Sequence, residues 1–121
     1  MSAAKEADIL REVRLSLGSR ADVRLFRFAA GNGWVRAAKG FIPCQFVPPG
    51  FPDLFGWVFF ADLPVILGVE CKSASGRLSA EQLKWRDLIV LSRGFHVVAR
   101  SAAQANEDLD RQIQARKQES K

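Results

Sequence analysis

The 121 residues predict one α/β domain: a mixed central sheet flanked by helices, in the order αβββαβα. Three observations carry this prediction. Residues 3–17 have apolar residues at helical spacing. Two apolar runs, 53–60 and 65–72, are separated by a short turn and form an antiparallel hairpin. A helical segment over 79–92 then leads into a strand at 95–100. A strand that returns after a helix lies parallel to its predecessor through a right-handed crossover.

Along the first helix, Glu6, Ile9, Leu10, Val13 and Leu17 share one face, with Lys5, Glu12 and Ser16 outward and Gly18 placed to end it. Val23, Leu25, Phe26 and Phe28 mark a strand over 22–29, with Arg24 and Arg27 among them. From Gly31 to Pro52, glycines and prolines punctuate what reads as a long irregular stretch, of a length that in a compact domain is functional or mobile. The two strands that follow, Asp53 to Phe60 and Val65 to Lys72, are apolar on both faces, as in a covered central sheet. Ser79 with Gln82 three residues on is a capping box, and Leu83, Leu88 and Leu91 are the expected core contacts of that helix. Gly94 stops it. Ser101 caps a last helix, with 116–121 expected to fray. The domain is expected to span 1–121.

Composition narrows the function. The apolar fraction of 48% excludes a disordered chain, and no apolar run reaches the ~18–20 residues of a bilayer span. The polar first residues lack a secretory signal, so a cytoplasmic address is expected. Cys44 and Cys71 make neither a disulfide framework nor a zinc-type pair, and His96 is the one histidine, so any metal must be held by carboxylates. The net charge of +5 hints at a polyanionic partner. Residues 1–40 carry eight Lys or Arg against four acids and residues 71–100 carry six against two. Residues 41–70 carry none, yet hold Asp53, Asp62 and Glu70. A cation site within a basic surround has this pattern, and so does a buried hairpin.

The chemistry-bearing residues converge on one end of that hairpin. Asp53 opens its first strand and Glu70 closes its second, which makes them neighbours in an antiparallel pair. Two adjacent carboxylates repel unless a proton or cation lies between them, and oxygen ligands select a hard ion such as Mg²⁺ or Mn²⁺. Lys72, two residues beyond Glu70, projects from the same sheet face, and the Cys71 carbonyl can also reach a metal. Lewis acid, water and ammonium together are what phosphodiester hydrolysis needs. Each residue also has a plainer reading. Asp53 fits a turn, Glu70 and Lys72 an exposed strand end, and Gln82 a helix cap. His96 fits strand packing and Trp85 the core. Glu6 on an apolar face is less easily explained, although the helix dipole favours an acid there.

Several segments resemble the VRR-NUC (virus-type replication-repair nuclease) branch of the PD-(D/E)xK superfamily: Glu6 in EADILREVRLSLG, GFPDLFGW at 50–57, VECKSASGRLSAEQLKW at 69–85, and Gly94 with the strand after it. The resemblance implies a restriction-endonuclease-like αβββαβ core and a Mg²⁺- or Mn²⁺-dependent DNA endonuclease. Asp53 and Glu70 would match the metal ligands, Lys72 the catalytic lysine, Glu6 the first-helix acid near the metal, and Gln82 the polar residue of the following helix. Small members resembling this chain are phage or bacterial proteins that act on branched DNA, such as Holliday junctions and flaps, often as homodimers. One departure is visible: family members often place an Asn soon after the first-strand Arg, whereas Arg27 here is followed by Phe28-Ala29-Ala30-Gly31-Asn32.

The leading expectation is therefore DNA hydrolysis, with Arg24, Arg27, Lys39, Arg77 and Lys84 gripping phosphates in a salt-sensitive way. A nucleic-acid-binding module that keeps the fold without cutting is the alternative, and a plain α/β interaction domain a third. A homodimer would supply the two active sites that symmetric junction cleavage requires, with the 31–52 stretch as its interface or as a substrate clamp.

Overall fold

A computed structural model describes residues 5–28 and 31–119. The elements are α1 (Glu6–Gly18), β1 (Val23–Arg27), β2 (Gly31–Ala37), β3 (Gly40–Val47), β4 (Leu54–Phe60), β5 (Leu63–Cys71), α2 (Ala80–Leu91), β6 (Phe95–Ala99) and α3 (Ala102–Glu119). Four strands form the central sheet in the order β1-β4-β5-β6; β1, β4 and β5 are antiparallel and β6 runs parallel to β5. The mixed α/β architecture expected from the sequence is thus present. The first residues of the expected helix, 3–4, and the last residue of the first expected strand, 29, lie outside the described residues.

Alternation along the strands sorts the two sheet faces. Leu54, Val58, Leu67, Val69, Cys71, Phe95, Val97 and Ala99 join Ile9, Val13 and Leu17 of α1 and Ala105 and Leu109 of α3 in one buried core. The opposite face takes α2, whose Ile89 reaches over Gly68. On β5 this leaves Glu70 on the α2 side while Val69 and Cys71 enter the core, as a two-residue period requires.

Three expectations need correction. The stretch 31–52 is not irregular throughout: residues 31–47 form a second, two-stranded sheet, β2 with β3, with a bulge that leaves Phe46 as the extra residue. The turn between β4 and β5 is two residues, Ala61 and Asp62, both with positive φ, and β5 already begins at Leu63. This is the geometry whose twist suits a tight hairpin. Leu83, Leu88 and Leu91 of α2 are exposed, Leu91 to 80%, and Ile89 is the buried residue of that helix. The last helix, α3, runs to Glu119, and residues 120–121 of the expected tail lie outside the described residues. The Arg116 guanidinium lies 3.9 Å over the Phe95 ring and donates to the Arg93 carbonyl, which holds the last turns down.

Gly94 does follow α2, for a different reason than a left-handed conformation. Arg93 takes the positive φ of 64°, and a Cβ on Gly94 would stand about 3 Å from Ile89 and from the Ile66 carbonyl. Close packing against β5 is what requires glycine there.

Candidate active site at the end of the central sheet

Asp53 precedes β4 and is anchored on both sides. Its backbone carbonyl accepts from the Phe28 amide at 3.1 Å, continuing the β1–β4 pairing. Its Oδ2 accepts from the Cys71 backbone N–H at 2.9 Å. Upstream, Pro52 is fully buried, and Phe51 packs against Phe28, Phe55 and Trp85 with ring centroids 4.9–5.5 Å apart. This aromatic wedge fixes the segment that presents Asp53. Trp85 is half-buried within it, in the packing role expected of it.

Glu70 lies across the strand pair from Asp53, one step beyond the Leu54–Val69 pairing. It is 2% exposed. Its Oε1 accepts from Gln82 Nε2 at 3.0 Å, while its Oε2 is buried with no hydrogen-bond donor among the described residues. Burial, and then the neighbouring Asp53 carboxylate, push the Glu70 carboxyl up to about 9, against which the Lys72 charge acts in the opposite direction. Without a cation, the pair therefore holds a proton at neutral pH.

Gln82 performs two tasks with one amide. Its Oε1 accepts from the Ser79 N–H at 2.8 Å and its backbone N–H donates to Ser79 Oγ at 3.2 Å, completing the capping box. With the oxygen committed to the cap, the amide nitrogen must face Glu70. The capping role and the site role are not alternatives.

Lys72 extends the β5–β6 pairing, its N–H donating to the Ala99 carbonyl at 2.9 Å. Its ammonium forms no ion pair with any described residue. The loop that follows is pinned by a residue that sequence reasoning missed. Arg100, at the end of β6, donates from Nη1 to the carbonyls of Ser73 at 2.6 Å and Gly76 at 2.7 Å. No local motif marks Arg100. Only the parallel pairing of β6 with β5 brings it beside the ExK strand, and that pairing was the available signal.

Glu6 stands exposed in the first turn of α1 and not on the buried face with Ile9, Val13 and Leu17. It lines a cleft of about 230 Å³ together with Ala7, Leu10, Arg27, Asp53 and Cys71. Among the described residues no group of three or more His, Cys, Asp or Glu side chains has metal-binding geometry. The close carboxylates are the two of Asp53 and Glu70, with Glu6 across the cleft. The Cys71 thiol faces the core and is pushed up to about 12 by burial, so this residue reaches the site only through its backbone. His96 is buried on β6, and burial lowers it to about 4. Both cysteines are free.

The expected phosphate-gripping residues are dispersed. Arg27 enters the cleft wall, and Arg77 is exposed on the Lys72–Ser79 loop. Arg24 folds its guanidinium back onto the carbonyls of Ala21 and Val23. Lys39 sits at the turn of the β2–β3 hairpin, and Lys84 lines a separate hollow with Pro48, Pro49 and Trp85. No helix among the described residues is long and apolar enough to cross a membrane.

Comparison with curated proteins and with solved structures found no match. The model of the VRR-NUC domain family, however, matches residues 35–103, which is more than half of the chain and takes in β4, β5, α2 and β6 with Asp53, Glu70, Lys72 and Gln82. The chain belongs to the VRR-NUC family of nucleases.

Proposed function

We propose that this protein is a Mg²⁺- or Mn²⁺-dependent endonuclease that hydrolyses DNA phosphodiester bonds at the Asp53–Glu70–Lys72 end of the central sheet. The observation that carries this reading is the Glu70 carboxyl: 2% exposed, one oxygen held by Gln82, the other buried without a donor and next to a second carboxylate. When both groups are ionised, such a pair costs stability unless a cation lies between them. Its all-oxygen donors fit a hard divalent ion.

Asp53 and Glu70 would hold the ion, with the Cys71 carbonyl and Glu6 as further oxygen donors at the cleft. When bound, the ion supplies Lewis-acid stabilisation of the charge that develops on the phosphate. The chain's own residues do the rest. Gln82 keeps Glu70 oriented, the Cys71 N–H does the same for Asp53, and the Lys72 ammonium, in no ion pair among the described residues, orients water or a phosphate oxygen. Arg27 and Arg77, at the cleft and on the adjoining loop, are suited to phosphates. Arg24, Lys39 and Lys84 extend the basic surround farther out.

Branched DNA in the cytoplasm of a bacterium or phage host belongs to the same reading, with a homodimer to present two sites. The exposed side of α2, where Ala80, Leu83, Leu88 and Leu91 line an open groove together with Lys84 and Asp87, supports such a pairing. The test is cleavage of junction, flap and linear DNA with Mg²⁺ or Mn²⁺ by the wild type, Asp53→Ala and Lys72→Ala. Equal cutting by all three proteins would refute the site. Binding without cutting under either ion would favour a non-catalytic module on the same fold. Light scattering reads the stoichiometry, and a strict monomer removes the junction-resolving part of the proposal.

A further inference from the structure

The β2–β3 hairpin has no place in the chemistry just described. Among the described residues it pairs only with itself, and none of its described side chains joins the buried core. Its register separates two faces. Val35, Ile42, Cys44 and Phe46 lie on one, where the Phe46 ring crosses Gly33 so closely that a Cβ there would overlap it. Trp34, Arg36, Phe41, Pro43 and Gln45 lie on the other, with Arg36 directly opposite Phe41 and Trp34 opposite Pro43. Trp34 and Phe41 are 68% and 67% exposed. A hollow of about 490 Å³ is lined by Gly33, Trp34, Pro43, Cys44 and Gln45. Lys39 stands at the turn.

Charge selects the occupant of the Trp34–Phe41 face. From residue 23 to residue 52 the chain has no Asp or Glu, yet it carries Arg24, Arg27, Arg36 and Lys39. A second copy of the chain, meeting this face about a two-fold axis, would bring the Arg36 and Lys39 of both copies into one interface with no acid on the patch to relieve them. A polyanion meets no such penalty. Exposed flat rings interleaved with cations are the surface that unpaired bases stack on, because every base offers a π-face while the cations follow the backbone.

We infer that the β2–β3 hairpin is a DNA-contacting arm whose Trp34–Phe41 face stacks on unpaired nucleotides while Arg36 and Lys39 hold the adjoining phosphates. This rests on DNA being the partner in the reading above and adds to it a preference for substrates with unpaired bases. The arm is separate from the acid pair, so binding and cleavage can be tested apart.

The experiment is fluorescence anisotropy in EDTA, where no cutting occurs, with a splayed-arm DNA and a blunt duplex of equal length. The Trp34→Ala/Phe41→Ala double variant should bind the splayed DNA about 10- to 100-fold more weakly than wild type and the duplex nearly as well. Arg36→Glu/Lys39→Glu, which keeps both rings, should weaken binding to both DNAs and flatten the salt dependence. Either variant binding splayed DNA within twofold of wild type overturns the inference. So does a change of oligomeric state in the aromatic variant, which would assign the face to chain–chain contact. If the wild type binds as expected but never cuts, the nuclease reading falls and the arm stands. If it cuts while the aromatic variant binds normally, only the arm falls.

Discussion

The four-stranded sheet and the two-stranded sheet are built from similar residues and use them in opposite ways. In β4, β5 and β6, valines and leucines disappear into a core closed by α1 and α3, and the few polar groups carried along, Glu70 and His96, lose most of their contact with water. In β2 and β3, Trp34, Val35, Phe41, Ile42 and Phe46 all remain exposed. Burial in the first sheet pushes the Glu70 carboxyl up to about 9. Exposure in the second leaves rings and cations available to a partner. Where a strand sits in the assembly, more than its composition, decides what its side chains can do.

Several measurements would break or sharpen that contrast. The largest effect should be on chemistry: Lys72→Ala or Asp53→Ala should lower DNA cleavage by about 10²- to 10⁴-fold with the fold retained, as read by single-turnover assays beside circular dichroism. Next is packing. Leu67→Ala, fully buried in β5, should cost about 2–5 kcal/mol in urea unfolding.

Two buried titratable groups of the central sheet, His96 and Glu70, should then pull stability in opposite directions with pH. His96 is lowered to about 4 by burial, so below its ordinary 6.5 the unfolded chain takes up a proton that the native state refuses. Stability is lost as pH falls from 6.5 toward 4, by up to about 3 kcal/mol, and His96→Leu should flatten that loss. Glu70 is raised from 4.5 to about 9, so its contribution is fully present below 4.5 and lost as pH climbs to 9 in metal-free protein. Thermal melts in EDTA should show Glu70→Gln removing that decline, and Mn²⁺ should no longer stabilise the variant. The smallest effect belongs to the hairpin: Ile42→Ala should change unfolding free energy by no more than about 0.5 kcal/mol. A loss of 2 kcal/mol or more would mean that the second sheet is packed after all.

Legibility in the sequence follows the same division. The β4–β5 hairpin could be read because its apolar runs are bounded by acids and a tight turn, and the adjacency of Asp53 and Glu70 follows from antiparallel geometry alone. Gln82 was legible as a cap, and its second bond to Glu70 was not, because nothing in local spacing says what lies across from a helix start. The β2–β3 hairpin was hidden: its strands are exposed on both faces, so no inside-out alternation develops, and Gly33, Gly40 and Pro43 read as loop punctuation. In α2, Leu83, Leu88 and Leu91 are exposed beside Lys84 and Asp87, and helical spacing cannot say whether a leucine meets its own core or open surface. Arg100 is isolated in sequence and acquires its role only when β6 docks beside β5.

The shared amide of Gln82 ties the secondary structure to the acid it touches. Replacing Ser79 by proline, which removes the N–H that Oε1 accepts from, would let the amide turn, presenting oxygen instead of nitrogen to a carboxyl that tolerates only a donor when ionised. Helix initiation and acid affinity in this protein cannot drift independently, and selection on one is felt at the other.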